Sequence, residues 1–484
     1  HPTINSSNHN SSNVVIFEGI YMATHQIDSL IKFTNSQGIG ATGTLVQISR
    51  NSIVMEVYNP YSIVQLSEVL DDLHIRREDR IIYQGRAVVS TLVNTGLYLI
   101  VSATLVEPWK DLSGLEQDPL GIQEEAERFL SDWESSHQLD QSFQLVINDI
   151  RSLLLELSRW LEQVDLFAEN DGVTHSRELT HDLFSQLQHP LLPKLTKLFG
   201  KFEEEAAKIA EDKVGIHRNF AQRDLHPLLL RSPFLWRTYN KPLGYAGDYE
   251  MVNMMLRDPY EGPTMYSKLI NSLMLKLGPV AGHQNRIDIL VDILKKKSEE
   301  ASLNNKKLRV LNIACGPALE VQQLIQAGQL DDSVEFTLLD FSEETLSHTK
   351  HKIDAAINTG SLKPTIKYIH KSVHTLLKEA GKEMPDNNYY DMVYCAGLFD
   401  YISDKVCNRL LRLFYQQTKV GGLTLVTNVH SENPALYQME YLMEWHLIYR
   451  DEAHFLKLFP DKGEQTVYRD KSGTNLFLEI QKTD

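Results

Sequence analysis

Apolar and polar positions follow different periods in different parts of this chain. Within residues 14–108, "ATGTLVQISRNSIVMEV" and "DRIIYQGRAVVSTLVNTGLYLIVSATL" alternate with period two, the mark of half-buried strands. Turn signals such as Asn94-Thr95-Gly96 separate them, and a small β-barrel is expected. Over 120–230 the period lengthens: Leu153, Leu157, Trp160, Val164 and Phe167 recur at helical spacing, and "KFEEEAAKIAEDK" is a strong helix former. The apolar stripe is expected to pack between helices, and His217 and His226 to be structural. Residues 231–279, rich in aromatics, Gly and Pro, are too irregular for one element and read as a lid or substrate-binding segment, or else as a packed connector. Over 280–484 strand and helix alternate, with strands expected at 308–314, 334–340, 365–369, 391–395 and 423–428. That order predicts a parallel, doubly wound sheet. Two further strand-like runs flank Lys471-Ser472-Gly473, a terminal antiparallel hairpin with which ordinary dinucleotide-binding folds do not close. The fold class is therefore multi-domain: an N-terminal β-barrel, a central helical region and a C-terminal α/β Rossmann-like domain ending in a hairpin.

Composition narrows the partners. At 484 residues, 42% apolar and 23% charged, the chain has the make-up of a soluble globular protein of several domains. The start, residues 1–13, is Asn/Ser-rich and reads as a disordered tail. A net charge of −16 argues against nucleic acid and against an anionic membrane surface, and no apolar run is long enough for membrane insertion. A small-molecule acceptor fits better, and the N-terminal or helical domain is the candidate surface for a homodimer. Cys315, Cys395 and Cys407 are too scattered for a disulfide framework or zinc site, so a cytoplasmic, metal-free protein is expected.

The chemistry concentrates at "RVLNIACGPALEVQQL", where an expected strand stops at small residues and a helix begins. Ala314, Gly316 and Ala318 let a ligand approach the backbone, and the helix offers free N–H groups. A dinucleotide would ask for G-x-G-x-x-G to seat its pyrophosphate; A-C-G-P-A fits a carboxylate with an adenosine better. Asp340, ending "VEFTLLD", is placed to take both hydroxyls of a ribose, with Phe341 beside an adenine face. "YDMVYCAGLFDYI" brings Cys395, Ala396 and Gly397 to the same sheet edge.

With "VLNIACGPALEV", "FTLLDFS", "YYDMVYCAGLFDYISD" and "VGGLTLVTN" in this order, the C-terminal region resembles the class I S-adenosylmethionine-dependent methyltransferases. The resemblance implies S-adenosylmethionine as cofactor. Ala314, Gly316 and Pro317 would line its methionine, Asp340 would hold the ribose, and Phe341, Ser372 and Val373 would flank the adenine. Cys395, Ala396 and Gly397 would close the site. Asn312 stands where the family usually has an acid, able to hydrogen-bond but without charge for the amino group. Arg286 is either the partner of the methionine carboxylate or a solvated helix arginine. With "YNKPLGYAGDYE" and "MEYLMEWHLIYRDE", the region after the barrel also resembles a bacterial group of methyltransferases for the extracellular factor 3-hydroxypalmitic acid methyl ester. The barrel resembles a PilZ domain, whose members often bind cyclic di-GMP. Its "QISRNS", however, keeps only Ser49 of the family's D/N-x-S-x-x-G motif and lacks the preceding arginines, which favours a docking or dimerisation module.

Since the sulfonium activates its own methyl group, the protein has to supply position, dryness and, for a hydroxyl or amine acceptor, a base. His430 and Asp248 are the candidate catalytic residues, with His446 a further candidate base. Tyr245, Tyr249, Trp445, His446, Tyr449 and Arg450 are candidates to shape the acceptor pocket, although Trp445 and Tyr449 are spaced for core packing as well. O-methylation of a carboxyl or hydroxyl group comes first and N-methylation second; a fatty-acid-like acceptor would call for a long apolar pocket from Met251, Met254, Met255 and Leu442. The alternative is a regulatory protein whose barrel senses a nucleotide or docks a partner.

Overall fold

The computed structural model describes residues 29–57, 64–77, 80–95, 98–110, 121–136, 138–170, 177–360, 362–379, 387–459 and 462–483. The expected tail, residues 1–13, and Gly96 of the expected turn lie outside them. Strands β1 (Leu30–Thr34), β2 (Gly40–Ile48), β3 (Ser52–Val57), β4 (Val69–Arg77), β5 (Arg80–Asn94) and β6 (Leu99–Leu105) form a closed barrel in the order β1-β2-β3-β6-β5-β4. The period-two pattern explains it: Ile31, Phe33, Ile53, Met55, Leu73, Ile75, Val101 and Ala103 point into a filled interior. The "QISRNS" run closes the β2–β3 hairpin, with the Ser49 hydroxyl 2.7 Å from that of Ser52 and the Ser49 N–H donating to the Ser52 carbonyl at 2.8 Å.

The helical region holds helices Ile122–Ser136, Gln141–Asn170, Arg177–Ala206 and Val214–Leu229. The expected stripe is covered in part: Leu157 is buried and Leu153 and Val164 pack against the core. Phe143, Ile147, Ile150, Leu154, Leu157 and Leu161 form the packed face of helix Gln141–Asn170, whereas Trp160 and Phe167 are 50% and 62% exposed. The apolar face is broad: the series beginning at Phe143 lies at its centre, Leu153 and Val164 at its edge, and the two aromatics beyond it. His217 and His226 are held structurally: His217 accepts from the Asp140 N–H at 2.9 Å, and His226 bonds to the Leu442 carbonyl. Residues 231–279 resolve into three short helices, Pro233–Asn240, Tyr249–Leu256 and Met265–Met274, the first two N-capped by Ser232 and Asp248.

Helix Gly278–Leu303 leads into the C-terminal sheet. Strands β7 (Leu308–Ile313), β8 (Val334–Asp340), β9 (Thr365–His370), β10 (Tyr390–Cys395), β11 (Thr418–Val429), β12 (Glu464–Arg469) and β13 (Asn475–Gln481) lie in the order β12-β13-β11-β10-β7-β8-β9. The strands β7 to β11 pair in parallel, and β13 runs antiparallel to both β11 and β12, which is the anticipated hairpin. The chain switches direction across the sheet between β7 and β10, and there the carboxyl ends of the strands open a crevice. Barrel, helical face and residues of 439–447 share one continuous apolar core, while separate clusters cover the two faces of the sheet. No described helix is long and apolar enough to cross a membrane.

Candidate active site

In the turn after β7, Ala314, Gly316 and Ala318 adopt left-handed backbone, with φ of 54°, 52° and 47°. For alanine this costs roughly 1–2 kcal/mol per residue, so the surroundings must impose it. They do so by hydrogen bonds. The Gly316 N–H donates to Asp340 Oδ2 at 3.0 Å, the Gly316 carbonyl accepts from Thr349 Oγ1 at 2.8 Å, and the Cys315 N–H donates to the Leu339 carbonyl at 3.0 Å. A Cβ placed on Gly316 would meet nothing within 4 Å, because the glycine faces open space.

That space is a cleft of about 980 Å³ including its open mouth. One end is lined by Asn312, Ala314, Gly316, Pro317, Glu320, Asp340 and Phe341, with Ala396 and Gly397 opposite. Asp340 is 5% exposed; burial raises its pKa, against the pull of the Ser342 and Gly316 N–H groups. Arg286, on helix Gly278–Leu303, is also 5% exposed, and its Nε and Nη1 have no hydrogen-bond partner among the described residues. Burial lowers its pKa, while Asp400, Tyr401 and Glu320 act in the other direction. Gly397, at φ 98°, makes room for it: a Cβ there would lie 3.2 Å from Arg286 Nη1. Asp400 and Glu320 act on the guanidinium through charge without a hydrogen bond to its Nε or Nη1 among the described residues, and a bound carboxylate would complete that pairing.

The charge missing at Asn312 arrives from the following helix. Glu320, 4% exposed, accepts from Asn312 Nδ2 at 3.0 Å and from the Tyr394 hydroxyl at 2.6 Å, and it lines the cleft. Its place two residues after Ala318 in "ACGPALE" was the signal that sequence reasoning passed over. Together these groups suit the methionine and ribose ends of S-adenosylmethionine: a cation for the carboxylate, an acid for the amino group, Asp340 for the diol and Gly316 for close approach.

The other end of the cleft is lined by Gln65, Tyr245, Ala246, Gly247, His283, Tyr401, Trp445 and Leu447, with Asp400 and Tyr249 alongside. Tyr245 meets Phe341 edge-on with centroids 5.0 Å apart, and the Trp445 Nε1–H donates to the Tyr401 hydroxyl at 3.0 Å. His283 bonds through Nδ1 to the Pro279 carbonyl at 2.9 Å, and burial, then Arg286, pushes its pKa down to about 3. It is therefore a neutral imidazole with the proton on Nδ1 and a lone pair on Nε2. His283 lies three residues before Arg286 on one helix face, a spacing visible in the sequence; Gln65 carries no signal there at all.

Other sequence candidates fall outside this lining. His430 is buried between the Glu432 N–H, which donates to its Nδ1 at 3.0 Å, and Glu452, 3.2 Å from Nε2. Asp248 caps a helix and pairs with Arg237 at 2.9 Å. Arg450, fully buried, donates to the Phe399 and Ile402 carbonyls, to Asn428 Oδ1 and to Asp404, so it locks loops rather than anchoring an acceptor. His446 pairs with Glu444 at 3.0 Å, and Tyr449 accepts from Asn433 at 3.4 Å. The Ser372 hydroxyl caps the turn toward Thr375, and Val373 and Cys395 belong to the core on one face of the sheet. Met251, Met254, Met255 and Leu442 pack in the main core and are not among the residues lining this cleft.

Residues 310–422 match the model of a family described as a methyltransferase domain. No curated protein matches the chain significantly. Among solved structures, the magnesium protoporphyrin IX methyltransferase ChlM from Synechocystis PCC 6803, with bound SAH, is similar at 14% identity over 55% of this chain and 99% of that one, with a TM-score of 0.34. The CurJ carbon methyltransferase is similar at 11% identity over 62% and 71%, with a TM-score of 0.34. The matched region is a methyltransferase domain, the chain is an enzyme, and its cofactor is S-adenosylmethionine.

Proposed function

We propose that the chain transfers the methyl group of S-adenosylmethionine to an oxygen of a small acceptor, a hydroxyl before a carboxyl. The observation that carries this is the enclosure of the acceptor end: Gln65, Ala246, His283, Tyr401 and Trp445 are each less than 10% exposed, too confined for a folded macromolecular substrate.

When bound, the sulfonium supplies an electrophilic methyl carbon. Arg286, Glu320 and Asp340 hold the cofactor's carboxylate, amino group and ribose, and Phe341 and the turn at Gly316 fix its orientation. The aromatic walls exclude water and leave an acceptor oxygen to approach in line. His283 Nε2, its ring held by the Pro279 carbonyl, accepts a hydrogen bond from a hydroxyl acceptor and orients it; a base this weak takes the proton only after methyl transfer has left the acceptor oxygen positively charged. Asp400, whose Oδ1 accepts the Val429 N–H at 2.6 Å, brings a second carboxylate to the lining, and this favours an amine as the second class of acceptor. The packing of Met251, Met254, Met255 and Leu442 in the core, away from this cleft, weighs against a long acyl chain in it. We read the barrel as PilZ-like in shape but as a docking element, because Ser49, the retained motif residue, is spent on Ser52.

The test uses methyl-labelled S-adenosylmethionine, the full chain, and an extract of cells expressing it, separated into protein and small-molecule fractions. Label is expected in the small molecules, released as methanol by base from an ester and retained by an ether or an N-methyl amine. Label confined to protein would contradict the reading.

A further inference from the structure

The barrel and the C-terminal domain touch through residues 64–69, and this segment reaches the cleft. Three hydrogen bonds seat it, two of them between backbones. The Leu66 N–H donates to the Tyr401 carbonyl at 3.3 Å, the Val69 N–H to the Gly244 carbonyl at 2.7 Å, and the Ser67 hydroxyl to the His446 carbonyl at 2.9 Å. The segment is equally tied to the barrel, where the Ser67 N–H donates to the Val89 carbonyl at 2.8 Å and the Val89 N–H to the Glu68 carbonyl at 2.9 Å. Beneath the turn, the fully buried Glu68 carboxyl accepts from the Gln65 N–H at 2.8 Å and the Ser36 N–H at 2.9 Å. Ser67 completes the bend in left-handed backbone, at φ 60°. A bend so thoroughly fixed holds the side chain it carries in place.

That side chain is Gln65. It is 7% exposed and lines the cleft beside Tyr401 and Trp445. Its backbone N–H is spent on Glu68, yet its side-chain carboxamide makes no hydrogen bond within the described residues. Its carboxamide atoms are not among the fully buried, unpaired polar atoms, so the amide opens onto the cleft, and a ligand that covers it has to supply its hydrogen bonds.

We propose that the barrel supplies one wall of the acceptor site and that Gln65 is a specificity-determining residue whose carboxamide hydrogen-bonds a polar group of the small acceptor. The amide offers both a donor and an acceptor, so it suits a hydroxyl or carboxyl group next to the reacting oxygen. The same lining holds the neutral His283 and the Tyr401 hydroxyl, which already accepts from Trp445 and keeps its own proton to donate. Such a site rejects an analogue lacking the polar group, because the buried amide is then left unpaired. This inference rests on the methyl-transfer reading, and it gives the barrel a part in catalysis rather than in nucleotide sensing.

Two measurements on the full chain test it. In the first, Gln65→Cys is alkylated with iodoacetamide; the native cysteines are buried, and burial raises their thiol pKa values, so they stay silent. Alkylation is expected through the cleft and several-fold slower with saturating S-adenosylmethionine; a rate indifferent to the cofactor would overturn the placement. In the second, label transfer from methyl-labelled cofactor to the extract's small molecules is compared for wild type, Gln65→Leu and Gln65→Asn. Gln65→Leu is expected to lower transfer about tenfold or to change its product, Gln65→Asn to restore part of it, and calorimetric cofactor affinity to hold within about twofold in both. Unchanged yield and product in Gln65→Leu would overturn the proposal. No transfer by the wild type, with cofactor still bound, would overturn the methyl-transfer reading instead.

Discussion

The two ends of the cleft are built in opposite ways. The cofactor end comes almost entirely from one run of chain, residues 312–341, with 396–397 and Arg286 added. The acceptor end is gathered from the barrel, the 245–252 segment, helix Gly278–Leu303, residues 398–401 and residues 445–447. A cofactor common to many enzymes can be held by one compact strand–turn–helix unit, whereas an acceptor particular to one enzyme is met by whatever elements the fold brings to the mouth.

The largest test of this contrast concerns a residue that belongs to neither end. Replacing Arg450 by Met removes its bonds to the Phe399 and Ile402 carbonyls, to Asn428 and to Asp404, so chemical denaturation should record a loss of about 3 kcal/mol, while the cofactor affinity of the folded fraction stays as before. A loss of acceptor turnover without a loss of stability would return Arg450 to the acceptor end.

Next in size is the footing of the acceptor end. Burial raises the Glu68 pKa from 4.5 to about 7, with its hydrogen bonds to Ser36 and Gln65 pulling the other way. The folded state thus keeps a proton that the unfolded chain releases near 4.5. The stability this group contributes is complete below about pH 4.5 and is lost as pH rises to about 7, a change of about 3 kcal/mol. Glu68→Gln escapes that loss, so its stability relative to wild type should climb between about pH 5 and about pH 8. A difference flat with pH would deny Glu68 this role.

At the cofactor end, Arg286→Met should weaken S-adenosylmethionine binding about 10- to 100-fold and yet leave the melting temperature equal or higher, since it removes a buried charge whose Nε and Nη1 are unpartnered among the described residues. Solvated arginines show neither effect. The smallest change is Gly247→Ala at the acceptor end. Its φ is 80° and the added Cβ would lie 2.9 Å from the Tyr401 hydroxyl, so turnover should fall several-fold with cofactor affinity intact, a strain on the order of 1 kcal/mol.

What could be read from the sequence follows the same division. The five parallel strands, the hairpin around Lys471-Ser472-Gly473 and the pair Gly316 and Asp340 were legible because each depends on local periodicity or on one βα turn. The charge at Glu320 was legible in principle, lying in the same motif. His430, Asp248 and Arg450 misled because a polar residue at a strand or helix end reads alike whether it faces a cleft, caps a helix or ties loops together. Trp160 and Phe167 misled because periodicity identifies a stripe without saying how much of it is covered. Gln65 was invisible: only the closure of the barrel brings it to Tyr401.

The measurement closest to the central claim is calorimetric titration of the full chain with S-adenosylmethionine, wild type beside Asp340→Ala. Saturable binding by the wild type, weakened at least about tenfold by the substitution, is the predicted result. Equal affinity in the two proteins, or no binding by the wild type, would contradict the assignment of the cleft.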